Sequence, residues 1–287
     1  MGTPIFQWFG DRWVQVGLVS SINNCSSTRL LGLYTRLVSY HEWILSVITR
    51  FSSSIVTTST RSPNTDSTKL PNLYECNRNS TCGCGSVPVL ITPARIVGGE
   101  TALEHSWSMI ASLRVRYDEE RHICGASIVS DSYVLTAAHC LPKYSTGPVR
   151  GLSISTGMTN LFDSNQIRRT VDRIYIHPNY SQTNEYLNDI ALLHLNQSLP
   201  TRSNNFITKT CIQRVPDDSS HVNYIENGTR LTVIGWGSTE FGLFDTPDHL
   251  RQVEVYAIDN NHSTCQTEIN DVQLQFCAGL YEGGRGN

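Results

Sequence analysis

The sequence predicts an all-β protein, and its hydrophobic pattern is the first reason. Short apolar runs separated by Gly, Asn and Pro recur along the last two thirds of the chain, and no long helical periodicity interrupts them. Such runs are typical of antiparallel β-barrels. A first set begins near residue 96 and a second set near residue 231. The runs lie at residues 110–115, 134–138, 174–176, 190–195, 231–234 and 253–258.

Composition limits the classes of function. The chain has 287 residues, 39% of them hydrophobic, which is enough for a sizeable core, and its net charge is −3. This net charge does not indicate the basic surface that nucleic-acid binding requires. No loop clusters carboxylates as a calcium site would, so we expect no metal and no cofactor. Nine cysteines favour an oxidising, extracellular compartment. Six Asn-x-Ser/Thr sequons add weak support, at Asn24, Asn79, Asn179, Asn196, Asn227 and Asn261.

Residues 1–75 are predicted to be a largely unstructured N-terminal extension and linker. The apolar run at 14–19 is a poor signal peptide, because the charges before it cancel. Residues 30–51 are richer in apolar side chains and compatible with a short amphipathic helix. Charged residues interrupt them, so we expect no membrane span. Ser, Thr, Asn and Pro dominate residues 52–72, which is typical of a flexible linker.

Residues 134–140 read Val-Leu-Thr-Ala-Ala-His-Cys and predict a buried strand that ends by presenting an imidazole. A disulfide between Cys124 and Cys140 would tie the loop of His139 to the preceding strand. Closing a loop of this size stabilises the folded state by about 3 kcal/mol. A general base must be held where its proton donor sits. His139 and Cys140 are poor zinc ligands together, because successive side chains of an extended segment point to opposite faces.

Several short motifs occur in a consistent order. Arg-Ile-Val-Gly-Gly stands at 95–99, Thr-Ala-Ala-His-Cys at 136–140 and Asp-Ile-Ala-Leu-Leu at 189–193. With these, residues 76–287 resemble the trypsin/chymotrypsin family of serine endopeptidases. Further matches are His-Ser-Trp at 105–107 with Ala-Ser-Leu at 111–113, Ile-His-Pro-Asn-Tyr at 176–180, Gly-Trp-Gly at 235–237 and Cys-Ala-Gly at 277–279.

The resemblance implies a chymotrypsin-like fold of two antiparallel six-stranded β-barrels. We expect a cysteine-containing pro-segment over residues 76–95 and a peptidase domain over residues 96–287. In this family the last strands of the second barrel and a C-terminal helix follow the nucleophile. The sequence stops before them, so we expect an incomplete second barrel with unpaired edges and poor folding.

The resemblance also implies the catalytic residues. His139 is the expected general base, and Asp189 the acceptor that fixes its tautomer, although a strand-edge or turn Asp is the alternative interpretation of Asp189 alone. The family carries its nucleophile in Gly-Asp-Ser-Gly-Gly, shortly after Cys-Ala-Gly and a Gly-Gly pair. This chain has Gly283-Gly284 but stops at Asn287, before the Ser and the oxyanion donors. We therefore interpret the chain as an inactive fragment.

Disulfide pairing follows partly from the resemblance, because in this family a pro-segment cysteine often pairs with one on the linker between the barrels. Cys211 lies at that linker. Cys84–Cys211 with Cys76–Cys82 is the favoured assignment, and exchange of Cys82 and Cys84 remains open. A metal or redox role for Cys-Gly-Cys is disfavoured, because no matching second pair follows. Cys265 and Cys277 bracket a loop and should pair with each other, which leaves Cys25 over.

We therefore predict a secreted serine endopeptidase, made as a zymogen and activated by cleavage between Arg95 and Ile96. Its partners would be protein or peptide substrates, an activating protease and proteinaceous inhibitors. The alternative is a non-catalytic pseudoprotease that binds or regulates. The alignment puts Gly286 at the base of the specificity pocket, where an Asp would select Lys or Arg. We expect large apolar or aromatic residues to be preferred instead.

Overall fold

The structure is a computed structural model that describes residues 2–23, 31–51, 58–59, 73–77, 79–92, 99–141, 151–181, 186–213, 225–237 and 246–280. Strands provide most of its regular structure, as the sequence predicts. The strands are β1 Pro4–Trp8, β2 Trp13–Asn23, β3 Leu31–Arg36, β4 Thr58–Ser59, β5 Leu73–Tyr74, β6 Val89–Leu90, β7 Glu100–Thr101, β8 Ile110–Arg116, β9 Glu120–Ile128, β10 Tyr133–Thr136, β11 Leu152–Thr156, β12 Ile167–Ile176, β13 Ala191–Leu195, β14 Cys211–Gln213, β15 Arg230–Gly235, β16 Arg251–Ile258 and β17 Gln275–Gly279.

Helices are few in the described part of the chain. Helix α1 spans His41–Phe51 and α2 spans Ser263–Gln266, and 3₁₀ turns occur at Leu37–Tyr40 and Ala138–Cys140. Neither α-helix is long and apolar enough to cross a membrane.

The first barrel is a closed ring of six antiparallel strands in the order β10-β13-β12-β11-β8-β9. Apolar side chains from every strand fill its interior, among them Leu113, Val134, Leu152, Val171 and Leu193, all fully or nearly fully buried. This arrangement confirms the barrel predicted from the apolar runs that follow residue 96.

The second barrel is also closed. Strand β1 pairs with β15 and with β2, β15 pairs with β16, β16 with β17, β17 with β3, and β3 with β2, so that six antiparallel strands form a ring. Its interior holds apolar residues from both ends of the chain, including Ile5, Val16, Leu231, Val255 and Phe276. The two-barrel chymotrypsin-like fold is thus confirmed.

The structure corrects two expectations about the second barrel. It is not incomplete, and the described residues 2–23 and 31–51 are not an unstructured extension. Three of the six strands, β1, β2 and β3, come from this segment. The reason is visible in β2, whose residues 13–20 are all buried, including the apolar Val14, Val16 and Leu18. Strand β1 covers the edge of β15 and β3 covers the edge of β17, and we had expected edges of this barrel to be unpaired.

Helix α1 packs this segment onto the first barrel. Ile44 and Ile48 are four residues apart on one face of the helix and fully buried. They belong to a cluster that includes Leu18 of β2 and Leu135 and Leu192 of the first barrel. Burial of this apolar face accounts for the helix, and it links the N-terminal segment to the strands that carry the predicted site.

The disulfides differ from the favoured assignment and agree with the alternative. Cys76 is bonded to Cys84, and Cys82 to Cys211. Cys82 lies in the buried cluster that contains Cys211 and is 1% exposed. Gly83, at φ +71°, donates its N–H to the Lys209 carbonyl at 2.7 Å and so places Cys82 beside Cys211. The structure also contains Cys124–Cys140 and Cys265–Cys277.

Replacing Leu18 by Ala tests whether the N-terminal segment is part of the folded core. Leu18 is fully buried, so we expect the free energy of unfolding to fall by about 2–5 kcal/mol. Urea unfolding followed by circular dichroism measures the change. The control is Glu42→Ala, at an exposed position of α1, which should change stability by less than about 0.5 kcal/mol. Equal effects of the two substitutions would contradict the barrel assignment.

Stability should also depend on His122 at acid pH. Burial, reinforced by the charge of Arg114, lowers the pKa of His122 to about 3, and its Nδ1 lies 2.7 Å from Ser112 Oγ. Between its ordinary pKa of about 6.5 and this lowered pKa, the unfolded chain takes up a proton that the folded chain does not.

We therefore expect the free energy of unfolding to fall as the pH drops below about 6.5, by at most about 1.4 kcal/mol per pH unit from this group. His122→Gln should make the dependence shallower. Urea midpoints at pH 7.5, 6.0 and 4.5 measure both slopes, and identical slopes for the two proteins would refute the prediction.

Candidate active site

His139 lies in the 3₁₀ turn that follows strand β10. The strand is buried along its whole length between β9 and β13, so its C-terminal end is held rigidly. Thr136 donates its hydroxyl to the Gly125 carbonyl at 2.8 Å, and the disulfide Cys124–Cys140 joins the turn to β9. The position of His139 is therefore fixed from both sides, as the sequence predicts.

Asp189 stands directly against His139. Its side chain is fully buried, and both carboxylate oxygens accept hydrogen bonds from the histidine. The His139 backbone N–H donates to Oδ1 at 2.8 Å, and ring Nδ1 lies 2.7 Å from Oδ2. A carboxylate can only accept, so Nδ1 carries the proton and Nε2 is the basic nitrogen. The structure therefore brings the two residues together, in an arrangement that can take a proton at Nε2.

The loop that carries Asp189 is positioned by polar contacts from the N-terminal segment. Thr35 of β3 donates its hydroxyl to the backbone carbonyl of Asp189 at 3.2 Å, and Ser20 of β2 lies 2.7 Å from Thr35 Oγ1. The Tyr40 hydroxyl donates to Asn188 Oδ1 at 3.2 Å. Sequence reasoning missed these three residues because it placed them in an extension. The alternation of β2 is a local signal of strand structure, but nothing in it points to Asp189.

Two tyrosines near the pair keep their protons. Burial, together with the charge of Asp189, raises the pKa of Tyr180 to about 12. Burial raises the pKa of Tyr40 as well, and the charges of Asp271 and Asp189 raise it further. Tyr186 contacts His139 edge-on, with the ring centroids 5.6 Å apart. The hydroxyls of Tyr40 and Tyr180 therefore stay neutral and add no negative charge beside the Asp189 carboxylate.

Cys124, His139 and Cys140 form a cluster that resembles a metal ligand set by residue type. The two sulfurs are bonded to each other, and a thiolate rather than a disulfide sulfur is the ligand that zinc prefers. The cluster therefore does not fit a metal ion.

The predicted cleavage residues Arg95 and Ile96, the predicted pocket residue Gly286 and the leftover Cys25 lie outside the described residues, and so do Asn24, Gly283, Gly284 and Asn287. The described chain resumes at Gly99, close before β7, and β7 pairs with β16 of the second barrel. At the other end it is described to Leu280, directly after β17.

Comparison with known proteins identifies the class. The trypsin family model matches residues 96–287, and the chain belongs to this family. Among curated proteins, it is similar to transmembrane protease serine 9 of Rattus norvegicus, with 27% identity over 293 residues. The matched region covers 95% of this chain but 26% of that protein. The chain therefore spans about a quarter of the length of this relative.

Proposed function

We propose that this chain is part of a serine endopeptidase in which His139 is the general base and Asp189 its orienting carboxylate. The pair itself is the observation that carries the proposal. A buried carboxylate that accepts both the backbone N–H and ring Nδ1–H of one histidine fixes the tautomer needed for proton transfer at Nε2. The similarity to a protein named as a protease supports the same conclusion.

The chemistry proceeds in two acyl-transfer steps. His139 Nε2 takes the proton of a serine hydroxyl while its oxygen attacks the scissile carbonyl carbon. The imidazolium then returns a proton to the leaving amine as the C–N bond breaks. Water, deprotonated by the same nitrogen, hydrolyses the acyl-enzyme. Asp189 stabilises the imidazolium in both steps. No Gly-Asp-Ser-Gly motif occurs among the 287 residues, so we propose that this stretch alone is inactive.

We further propose that the enzyme is secreted as a zymogen. Cleavage between Arg95 and Ile96 would create an ammonium group that pairs with a buried carboxylate and orders the oxyanion hole. The four disulfides support an oxidising compartment. Five sequon asparagines are exposed, which leaves them accessible to glycosylation; these are Asn79, Asn179, Asn196, Asn227 and Asn261. Protein substrates, an activating protease and proteinaceous inhibitors would be the partners.

A non-catalytic binding protein on the same fold is the second candidate. Such a protein has no chemical need for a buried carboxylate paired with an imidazole. Burying a charge costs free energy, so a protein without this need has no reason to keep the pair. The geometry of His139 and Asp189 therefore favours the enzyme.

The function is tested in a chain that begins at residue 73 and is extended beyond Asn287 with a Gly-Asp-Ser-Gly-Gly segment and the strands that follow it in a trypsin, which take the places of β1, β2 and β3. After activation we expect turnover of a fluorogenic peptide, whereas residues 1–287 alone should show none. His139→Ala should reduce kcat/KM of the completed enzyme by about 10⁴-fold or more, since the general base is lost. Equal turnover with and without His139 would exclude the mechanism.

Activation should require the Arg95–Ile96 bond to be cut. In the completed protein, Arg95→Gln prevents cleavage by a trypsin-like activator, so we expect the precursor to remain essentially inactive. The expected loss corresponds to the penalty for a buried carboxylate without its cationic partner, about 3–5 kcal/mol. Active-site titration before and after treatment with trypsin measures it. Full activity in the uncleaved Arg95→Gln precursor would overturn the zymogen proposal.

Primary specificity should follow from Gly286. Glycine offers no charge to a buried cation, so we expect large apolar or aromatic residues before the cut and little cleavage after Lys or Arg. Gly286→Asp should shift the preference towards Lys and Arg, because the new carboxylate supplies the counter-charge. A peptide library read by mass spectrometry measures both profiles. Dominant cleavage after Arg or Lys by the unsubstituted enzyme would show that Gly286 is not the base residue.

A further inference from the structure

Residues 89–92, which lie shortly before the predicted cleavage site, pack against the protein with one face. Val89 and Ile91 are 2% and 4% exposed and belong to a buried apolar cluster. Leu90 and Thr92 alternate with them and are exposed. This alternation is expected of an extended segment that buries every second side chain. The chain ahead of the cleavage site is therefore anchored to the folded protein.

A buried glutamine binds the backbone of this segment. Gln252 of β16 is 1% exposed, and the Trp107 indole N–H donates to its Oε1 at 2.7 Å. An indole N–H can only donate, so this contact fixes which end of the glutamine amide is the oxygen. The amide nitrogen Nε2 donates to the Leu90 carbonyl at 2.6 Å and to Glu100 Oε1 at 2.8 Å. Gln252 thus has one acceptor before the predicted cleavage site and one after it.

Glu100 makes a direct connection across the same site. Its Oε1 also accepts the backbone N–H of Thr92 at 2.8 Å. Glu100 itself lies in β7 and is paired with Gln252 of β16. The carboxylate therefore joins Thr92, which precedes the Arg95–Ile96 bond, to a strand that follows this bond and is held on the second barrel. We term the Thr92–Glu100 hydrogen bond the clasp.

Cleavage between the two ends of the clasp requires the clasp to open. A peptidase cuts a bond after binding the residues on both sides of it in an extended conformation. The eight Cα–Cα steps from Thr92 to Glu100 span up to about 26 Å when they are extended. A glutamate side chain is far shorter, so the hydrogen bond must break as the segment is straightened. Proteolysis of a folded protein tracks the population of such a locally open form.

We propose that the clasp formed by Thr92 and Glu100 restrains cleavage of the Arg95–Ile96 bond. The proposal rests on the function proposed above, in which this cleavage activates the enzyme. It adds a control of that step, because the fraction of molecules with an open clasp sets how fast a trypsin-like activator cuts. An intact clasp would thereby protect the precursor from premature activation.

The test measures cleavage of this bond in the intact chain of 287 residues. Limited digestion by trypsin is followed by mass spectrometry of the new N-terminus at Ile96 and of the N-termini formed at other Lys and Arg residues. Glu100→Ala removes the acceptor of the clasp. We expect the Ile96 N-terminus to appear about tenfold faster, as the loss of a hydrogen bond to a charged group predicts, and cleavage elsewhere to be unchanged.

A matched control removes the same charge nearby. The Glu104 side chain is 78% exposed, so Glu104→Ala should change the rate at Ile96 by less than about twofold. Synthetic peptides of residues 88–104 with and without Glu100→Ala should be cut at equal rates, because no folded domain holds the carboxylate. Equal acceleration in peptide and chain would overturn the proposal, since the effect would then come from the preference of trypsin.

Thr92→Pro tests the same hydrogen bond from its other end, because proline has no N–H to donate. We expect a similar acceleration at Ile96, with the matching peptide as reference. Since both substitutions remove one contact, the double variant with Glu100→Ala should be no faster than either single variant. Effects that multiply, or Thr92→Pro without effect, would show that this hydrogen bond does not restrain cleavage. Thr92→Pro also decides the question if Glu100→Ala accelerates cleavage at all sites alike.

The outcomes separate the inference from the function on which it rests. The digestion needs no catalytic activity from the chain itself. An unchanged rate at Ile96 in the Glu100→Ala chain would overturn the clasp and leave the peptidase function and its cleavage site in place. Faster release of Ile96 together with full activity of the uncleaved Arg95→Gln precursor would overturn the zymogen proposal, and the control of activation by the clasp with it.

Discussion

Closure of the second barrel by the N-terminal strands is the constraint on which the rest of this structure depends. Without β1 and β3, the outer edges of β15 and β17 would expose unpaired backbone groups and the apolar interior around Phe276. With them, every strand of the ring has two neighbours. The conformational entropy lost in ordering these strands is offset by burial of residues such as Ile5, Val16 and Leu18.

The His139–Asp189 pair depends on this closure through a short chain of contacts. Asp189 is fully buried, its neighbour Ile190 belongs to the cluster that α1 and β2 build with the first barrel, and Thr35 donates a hydrogen bond to the Asp189 backbone carbonyl. Burial excludes water from the carboxylate, and the two hydrogen bonds from His139 compensate for its desolvation. The geometry that qualifies His139 as a base is thus maintained partly by residues distant from it in sequence.

The parts of the fold predicted correctly from sequence are those specified by local patterns. The apolar runs of the first barrel identified its strands, and the Thr-Ala-Ala-His-Cys and Asp-Ile-Ala-Leu-Leu motifs identified the two residues that meet at 2.7 Å. The prediction was wrong for β1, β2 and β3, which lie in a segment that we expected to be unstructured. The alternation in β2 indicates a strand, but no local pattern indicates which strands lie beside it.

The sequence by itself determined the family, the first barrel and the identity of the His139–Asp189 pair, because motifs and alternation are encoded within a few residues. Only the tertiary structure decided which edges β1 and β3 cover, that Thr35 supports Asp189, and that Cys82 rather than Cys84 bonds Cys211. Alternation indicates which face of a strand is buried but not which strand lies beside it. Partners more than 100 residues apart are selected by the closure of the whole barrel, which no local pattern contains.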